Sequence, residues 1–185
     1  MAGLPHYSNS QSALNLFEPV FLNQFEVIIV PPASVSGGNL LLEHVKSISG
    51  LTLDKTPEPI FQKYKFAKRN YAGGKPATTY MDLSMNFNVN LNDKNSMYVF
   101  KTLRQWSDLI YNPVTGAQGL KRDYVGSMTI SMFNKQGDVY RRVRCIDCFP
   151  TKPISPMPLN YEEGEAVYEI SQFGWAVDYW EDLFL

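Results

Sequence analysis

Cysteine and histidine are scarce in this 185-residue chain, which contains two of each. Cys145 and Cys148 form a single C-x-x-C pair, too few for a disulfide framework. A structural zinc site needs about four ligands, and neither His6 nor His44 has ligand spacing with the cysteines. The pair falls inside a predicted strand, where residues three apart point to opposite faces. We therefore expect core or interface thiols, with no metal and no redox function.

Other absences restrict the class of protein further. No apolar run has membrane-spanning length, so we expect no membrane association. The first residues lack a charged-then-apolar secretory pattern, so we expect assembly in the cytoplasm. The formal net charge is -1 and the pI about 6.1. The chain therefore has no global basic field for binding nucleic acid through its phosphates.

Signatures of catalysis are also missing. The Gly73–Lys75 stretch is similar to a phosphate-binding loop, but Pro76 follows it and Arg69 occupies the earlier glycine position. Neither histidine lies in a nucleophile signature. The acidic stretch 162–165 is typical of a solvated loop rather than of paired catalytic carboxylates. We predict no catalytic, cofactor-binding or metal-binding residues, no cofactor, and no enzymatic activity.

The strongest pattern that is present is a strand followed by a helix. From Met81 to Leu91, apolar and polar residues alternate with the period of two that a strand produces. The polar positions are Asp82, Ser84, Asn86, Asn88 and Asn90. Asn92 and Asp93 can cap a helix, and an apolar stripe with helical spacing follows. The helix should cover about residues 94–111 and end at Asn112–Pro113, because the residue before proline avoids helical geometry.

Further extended segments surround this unit. The predicted strands are Gln24–Val30, Leu40–Ile48, Ser127–Phe133, Val139–Phe149 and Ala166–Trp180. Gly174 inside the last strand indicates a bulge or a close backbone approach, and residues 150–159 form a proline-rich extended connector. The fold class is mainly β, an antiparallel β-sandwich or barrel with one flanking α-helix. Residues 1–185 form a single domain with a polar N-terminal arm at 1–15.

Residues 57–79 are predicted to form a projecting hairpin with Gly73 and Gly74 in its loop. Basic and aromatic side chains are interleaved along it: Phe61, Lys63, Tyr64, Lys65, Phe66, Lys68, Arg69 and Tyr71. Such a surface fits a subunit contact, because Tyr and Arg favour interfaces. It also fits a solvated hairpin or a nucleic-acid-binding surface. Composition leaves these three interpretations open.

Several segments together carry a resemblance to a known family. The stretch 173–181 reads Phe-Gly-Trp-Ala-Val-Asp-Tyr-Trp-Glu, close to the C-terminus. Leu22–Val27 at the first strand and Cys148–Thr151 at the strand-to-proline turn accompany it. With the long alternating strand and its helix, these features resemble the tail tube proteins of contractile-tailed bacteriophages, a family related to tailocin and type VI secretion tubes. The likeness covers most of residues 20–182.

The resemblance implies a structural virion protein rather than an enzyme. Six copies would join their sheets into a ring β-barrel, and stacked rings would form the channel for phage DNA inside the contractile sheath. Implied partners are further copies of the chain, the sheath protein, and the baseplate and tail-terminator proteins, with the virion tail as location. The eight hairpin residues named above, with Leu183 and Phe184 of a C-terminal tail at 182–185, would mediate subunit contacts and ring stacking.

Two points stay open under this resemblance. The polar face with Asp82, Ser84, Asn86, Asn88 and Asn90 would line the channel, or it faces bulk solvent. The long arm, the short apolar tail and the cysteine pair depart from the family pattern. They leave a tube-initiator or baseplate ring protein of the same fold as an alternative to the tube subunit. A monomeric nucleic-acid-binding β module is the other alternative.

Overall fold

The computed structural model describes residues 20–36, 44–52, 57–76, 81–90, 97–157, 159 and 167–185. The predicted N-terminal arm, the acidic stretch 162–165 and the predicted helix cap at Asn92 and Asp93 lie outside these residues. The described elements are β1 (Phe25–Val30), β2 (Val45–Ser49), β3 (Pro57–Tyr64), β4 (Ala67–Pro76), β5 (Met81–Asn88), α1 (Tyr98–Ile110), α2 (Lys121–Tyr124), β6 (Gly126–Phe133), β7 (Val139–Pro150) and β8 (Glu169–Phe184).

Six strands form one antiparallel sheet in the order β1-β6-β7-β8-β5-β2. The sheet curls into a half-barrel, and the strands β3 and β4 form a separate two-stranded hairpin. The predicted fold class, mainly antiparallel β with a flanking helix, is confirmed. The last strand runs to Phe184, four residues beyond its predicted end, because its C-terminal part pairs with the start of β7.

The core lies inside the curl. One face of β5 buries Met81, Leu83, Met85 and Phe87 completely, as their alternation predicts. The apolar stripe of α1 joins the same core through Val99, Leu103 and Trp106.

The helix begins later than predicted. Met97 precedes it with a positive φ of 59°, which helical backbone does not adopt. The predicted start near residue 94 is therefore wrong, and α1 begins at Tyr98. Its end agrees with the prediction, because Tyr111 is already extended and the Asn112 side chain accepts the backbone N–H groups of Val114 and Thr115.

An aromatic chain joins the helix to the sheet. The Trp106 ring meets Trp175 edge to face at 5.0 Å between centroids, Trp175 meets Phe173 at 5.2 Å, and Phe173 meets Phe87 at 6.1 Å. The Trp106 Nε1–H donates to the backbone carbonyl of Tyr124, at 2.6 Å. This hydrogen bond holds the end of α2 against α1. The aromatic contacts in turn pack α1 on the sheet.

The two cysteines share the core face of β7, and the prediction that they point to opposite faces is wrong. Asp147, between them, has a φ of 54°, and the register of β7 with β6 shifts across it, because Gly126 pairs with Cys148 whereas Ser127 pairs with Ile146. Such an irregularity reverses the side-chain alternation beyond it. Cys145 and Cys148 are both completely buried as free thiols, which confirms the expectation of core thiols. Their mutual hydrogen bond and burial raise the pKa of Cys148.

The prediction for Gly174 is confirmed as a close approach. A Cβ at this position would lie 2.9 Å from Thr151 Oγ1 and within 2.8 Å of the Lys152 side chain. The connector that follows β7 crosses β8 here, and the Thr151 N–H donates to the Gly174 carbonyl at 2.9 Å.

Candidate assembly interface

The hairpin of β3 and β4 is present, but its turn is not where the glycines are. Tyr64 pairs with Ala67, so the two-residue turn consists of Lys65 and Phe66. The prediction that Gly73 and Gly74 form the loop is wrong, since both lie within β4. Gly73 is instead required by a close approach, because a Cβ there would lie 2.1 Å from the carbonyl oxygen of Glu58 on β3.

The hairpin stands apart from the rest of the described chain. Every residue of β3 is exposed, and β3 and β4 pack on each other with at most marginal contact to other elements. Large apolar side chains are exposed along its length: Ile60, Phe61, Tyr64, Phe66 and Tyr71. An isolated two-stranded hairpin is only marginally stable in water. The predicted interface residues 61–71 are therefore brought together on one projecting element.

The two faces of the hairpin differ in chemistry. Cross-strand pairing places Ile60 beside Tyr71 and Gln62 beside Arg69 on one face. On the same face the Tyr64 hydroxyl hydrogen bonds to Gln62 and lies 3.4 Å from the Tyr71 hydroxyl, and this contact raises the pKa of Tyr64. We call this the aromatic face.

The opposite face is cationic. It carries Phe61 opposite Asn70, and Lys63 directly opposite Lys68. The Lys68 ammonium lies 3.9 Å from the centroid of the Phe61 ring. At the tip, the Lys65 ammonium lies 5.6 Å from the ring of Phe66, a side chain that is 93% exposed.

Leu183 and Phe184 lie at the end of β8 with exposed side chains. Arg141 of β7 holds this end in place. It binds Asp182 through two hydrogen bonds of 2.9 and 2.6 Å, and its guanidinium lies 4.9 Å from the Phe184 ring centroid. The hydrogen bond to Asp182 raises the pKa of Arg141. The two predicted contact residues thus form an apolar edge on ordered strand, separate from the hairpin in sequence and in sheet.

The half-barrel is open between its terminal strands. Within the described chain, β1 and β2 each have a strand partner on one side only. A cleft of about 330 Å³ lies at this opening, lined by apolar residues that precede β1, follow β2 and end β6, among them Phe21, Phe25, Leu51 and Met132. Free strand edges offer unpaired N–H and C=O groups to another chain. The sequence did not predict this cleft, because its walls come from distant segments.

The polar face of β5 is only partly free. Asp82, Asn88 and Asn90 are exposed, whereas Ser84 and Asn86 are half-buried. Asn86 accepts the backbone N–H of Gln172 at 2.7 Å, where β8 has a φ of 52°. Ser84 accepts a hydrogen bond from Lys152 of the connector at 3.4 Å. The predicted channel-facing residues Ser84 and Asn86 therefore have structural hydrogen bonds of their own.

A second cleft, of about 500 Å³, runs between α1 and the proline-rich connector. Phe100, Tyr111, Ile154 and Tyr168 line it. The Tyr168 hydroxyl donates to the Ser155 carbonyl at 2.8 Å, and both residues line the cleft. The prolines at 150–159 were the only sequence signal for this surface, since they predicted a fixed extended segment but not what it lies against.

Several of the remaining charged groups form ion pairs. Lys121 of α2 pairs with Asp178 of β8, and this hydrogen bond raises the pKa of Lys121. Lys46 pairs with Glu169 at 2.5 Å. In the described part of the chain, no three His, Cys, Asp or Glu side chains are grouped so that they could hold a metal ion. No described helix has the length and apolar character needed to cross a bilayer.

Comparisons with known proteins place this fold. No protein-family model matches the chain, and no curated protein matches it by sequence. Solved structures match over most of its length. A chain of the PVC extracellular contractile injection system, from its extended sheath–tube complex, is 16% identical with a TM-score of 0.59, covering 95% of this chain and 99% of that one.

Two further structures have the same fold. The tube-terminating cap of the anti-feeding prophage is 13% identical with a TM-score of 0.60, covering 91% of this chain and 93% of that one. A chain of the PVC sheath/tube terminator is 15% identical with a TM-score of 0.59, covering 91% and 99%. The predicted resemblance to contractile tail proteins is thus confirmed as a likeness of fold to tube, cap and terminator components.

Proposed function

We propose that this protein is a ring-forming subunit of the tube of a phage-like contractile tail. Six copies join through the free edges of β1 and β2, and the rings stack inside a sheath to form a channel for DNA or another cargo. The sheath, baseplate and terminator proteins are its further partners, and assembled particles form in the producing cell. The observation that carries the proposal is the half-barrel, whose strands β1 and β2 each have one strand partner within the described chain, together with a hairpin that has at most marginal contact with the other described elements.

Energetics support assembly over a monomeric role. A free edge strand is a site for pairing with another chain, and closing a barrel removes it. The exposed apolar residues on the hairpin and at the end of β8 form two separate surfaces. A ring protein that also stacks needs contacts in two directions. Asp82, Asn88 and Asn90 then present polar side chains to the channel. None of them is positively charged, so they would bind DNA phosphates only weakly.

A ring protein at one end of the tube is the second candidate. The similar chains include a terminator and a cap, with TM-scores of 0.59 and 0.60, as high as that of the sheath–tube complex chain. The two candidates differ in one property: a tube subunit adds to both faces of a ring, whereas an end protein stops growth.

Electron microscopy of the purified chain at high concentration tests the proposal. We expect rings or hollow tubes with six-fold end views: tubes favour the tube subunit, and single or double rings favour the end protein. Deletion of residues 61–75 should leave rings that no longer stack, and an alanine substitution at Val114, an exposed residue of the loop after α1, serves as the control. A chain that remains monomeric at every concentration and salt would refute ring formation.

A further inference from the structure

The hairpin of residues 57–76 has at most marginal contact with the other described elements of its chain. Its five large apolar side chains are each at least 45% exposed. The two strands hold each other through backbone pairing, which by itself gives marginal stability in water. A partner that covers the hairpin would therefore bury apolar area on an element whose backbone is already ordered, which reduces the entropic cost of binding.

The arrangement of the cationic face destabilises the free protein through electrostatic repulsion. Lys63 and Lys68 are directly opposite each other, and like charges in such a cross-strand pair repel. The ring of Phe61 beneath Lys68 relieves part of this repulsion through a cation–π contact. No carboxylate is in an ion pair with either lysine in the described chain. A carboxylate supplied by a partner would relieve the remainder.

The charge distribution of the chain indicates which partner this is. Residues 57–76 contain five basic residues and one acidic residue, a formal charge of +4. The rest of the chain contains twelve basic and seventeen acidic residues, a formal charge of -5. The hairpin of one copy and the body of another are therefore complementary in sign. A nucleic acid would be attracted by the hairpin but repelled by the body of the same molecule.

We propose that the two faces of the hairpin bind a second copy of this chain by different chemistry. The cationic face binds carboxylates on the body of the neighbouring copy. This part of the contact depends on opposite charges and therefore on the salt concentration. The aromatic face, with Ile60, Tyr64 and Tyr71, buries apolar area against protein and gives the contact most of its affinity. The inference rests on the proposed ring assembly and specifies how its copies recognise one another.

Charge reversal on the cationic face is the first test. The double variant Lys63→Glu/Lys68→Glu should raise the concentration needed for stacking by about tenfold or more, because like charges then face each other across the interface and repel. The matched control Lys63→Arg/Lys68→Arg keeps the charge and should assemble as the wild type does. Wild-type stacking should weaken as salt rises. Sedimentation at low and high salt measures both effects.

The aromatic face needs a different variant. Tyr64→Ser/Tyr71→Ser should weaken stacking at every salt concentration and leave the salt dependence unchanged. Identical assembly of this variant and the wild type would overturn the division between the two faces. Far-UV circular dichroism of each variant establishes that the body is folded, since the hairpin has little contact with it.

Carbodiimide cross-linking identifies the occupant directly. Assemblies made from equal amounts of ¹⁵N-labelled and unlabelled chain should give mixed-isotope cross-links from Lys63 or Lys68 to Asp or Glu of another copy. Cross-links confined to one isotope would overturn the proposal. So would DNA binding, measured by fluorescence anisotropy, that Lys63→Glu/Lys68→Glu removes while assembly stays intact. A wild type without rings contradicts the proposed function itself, whereas wild-type rings unaffected by charge reversal contradict only this inference.

Discussion

Replacing either of two buried tryptophans by phenylalanine should have clearly different costs. Trp106 and Trp175 are both completely buried and meet edge to face. The Nε1–H of Trp106 donates to the Tyr124 carbonyl, whereas the Nε1–H of Trp175 has no acceptor among the described residues. Each replacement removes the same atoms and leaves a similar cavity. The difference between their free energies of unfolding therefore reports on the two indole N–H groups, one hydrogen-bonded and one without an acceptor.

The magnitude follows from that difference. Trp106→Phe leaves the Tyr124 carbonyl without its donor, at about 1–2 kcal/mol for a part-buried acceptor. Trp175→Phe removes a buried N–H that has no partner, and so recovers a desolvation cost of similar size. We expect Trp106→Phe to lower the free energy of unfolding by about 2–4 kcal/mol more than Trp175→Phe does, a large part of the roughly 5–15 kcal/mol typical of a domain.

Urea unfolding, followed by far-UV circular dichroism, measures the free energy of unfolding of each variant relative to the wild type. Equal m-values would show that both lose the same structure. The double variant then completes a cycle. Because phenylalanine keeps an aromatic ring at each position, the coupling free energy should stay below the roughly 0.5–1.5 kcal/mol of a whole edge-to-face pair. Equal destabilisation by the two single variants, or the reverse order, would refute the role assigned to the Trp106 hydrogen bond.

Two further predictions concern the backbone and the thiols. Gly50→Ala should destabilise the protein far more than Gly137→Ala. Both glycines have a positive φ, but only at Gly50 would a Cβ lie 2.2 Å from the Asp82 carbonyl oxygen. Thermal unfolding measures the two losses, and a similar loss for both variants would mean that the positive φ alone matters. The hydrogen bond with Cys145 and burial raise the pKa of Cys148 above its ordinary 9.0, so the folded state keeps a proton that the unfolded chain loses. The free energy of unfolding should then fall as pH rises above about 9. The double variant Cys145→Ala/Cys148→Ala should lose this fall, whereas Cys148→Ala alone should not, because burial also opposes ionisation of Cys145 once its partner is absent; a pH profile unchanged in the double variant would contradict this.

The local elements of the fold could be predicted because their signals are local. The alternation from Met81 onward identified β5 and its buried face, and the apolar stripe identified α1. Asn112–Pro113 located the end of the helix, and Gly174 marked a close approach. Each of these depends on side-chain period or on backbone sterics within a few residues.

The candidate site was predictable as a segment but not as a surface. Alternating Lys, Arg, Tyr and Phe marked residues 61–71 for contact, yet Gly73 and Gly74 misplaced the turn. Only the cross-strand register shows that Lys63 faces Lys68 and that the tyrosines are on the other face. The register depends on which two strands pair, and a shift of one residue would exchange the two faces.

By itself, the sequence of this protein determined its β class, the β5–α1 unit, the charged and aromatic hairpin segment, and the lack of any catalytic or metal-binding signature. Only the tertiary structure decided that Cys145 and Cys148 share one face and that, within the described residues, β1 and β2 each have a strand partner on one side only. It also decided that α1 and the connector line a common cleft. These outcomes depend on an irregularity at Asp147 and on contacts between distant segments, such as the pair Phe25 and Met132, which are 107 residues apart. Periodicity within a short window has no information about such contacts, because they are determined by how the whole sheet curls and packs.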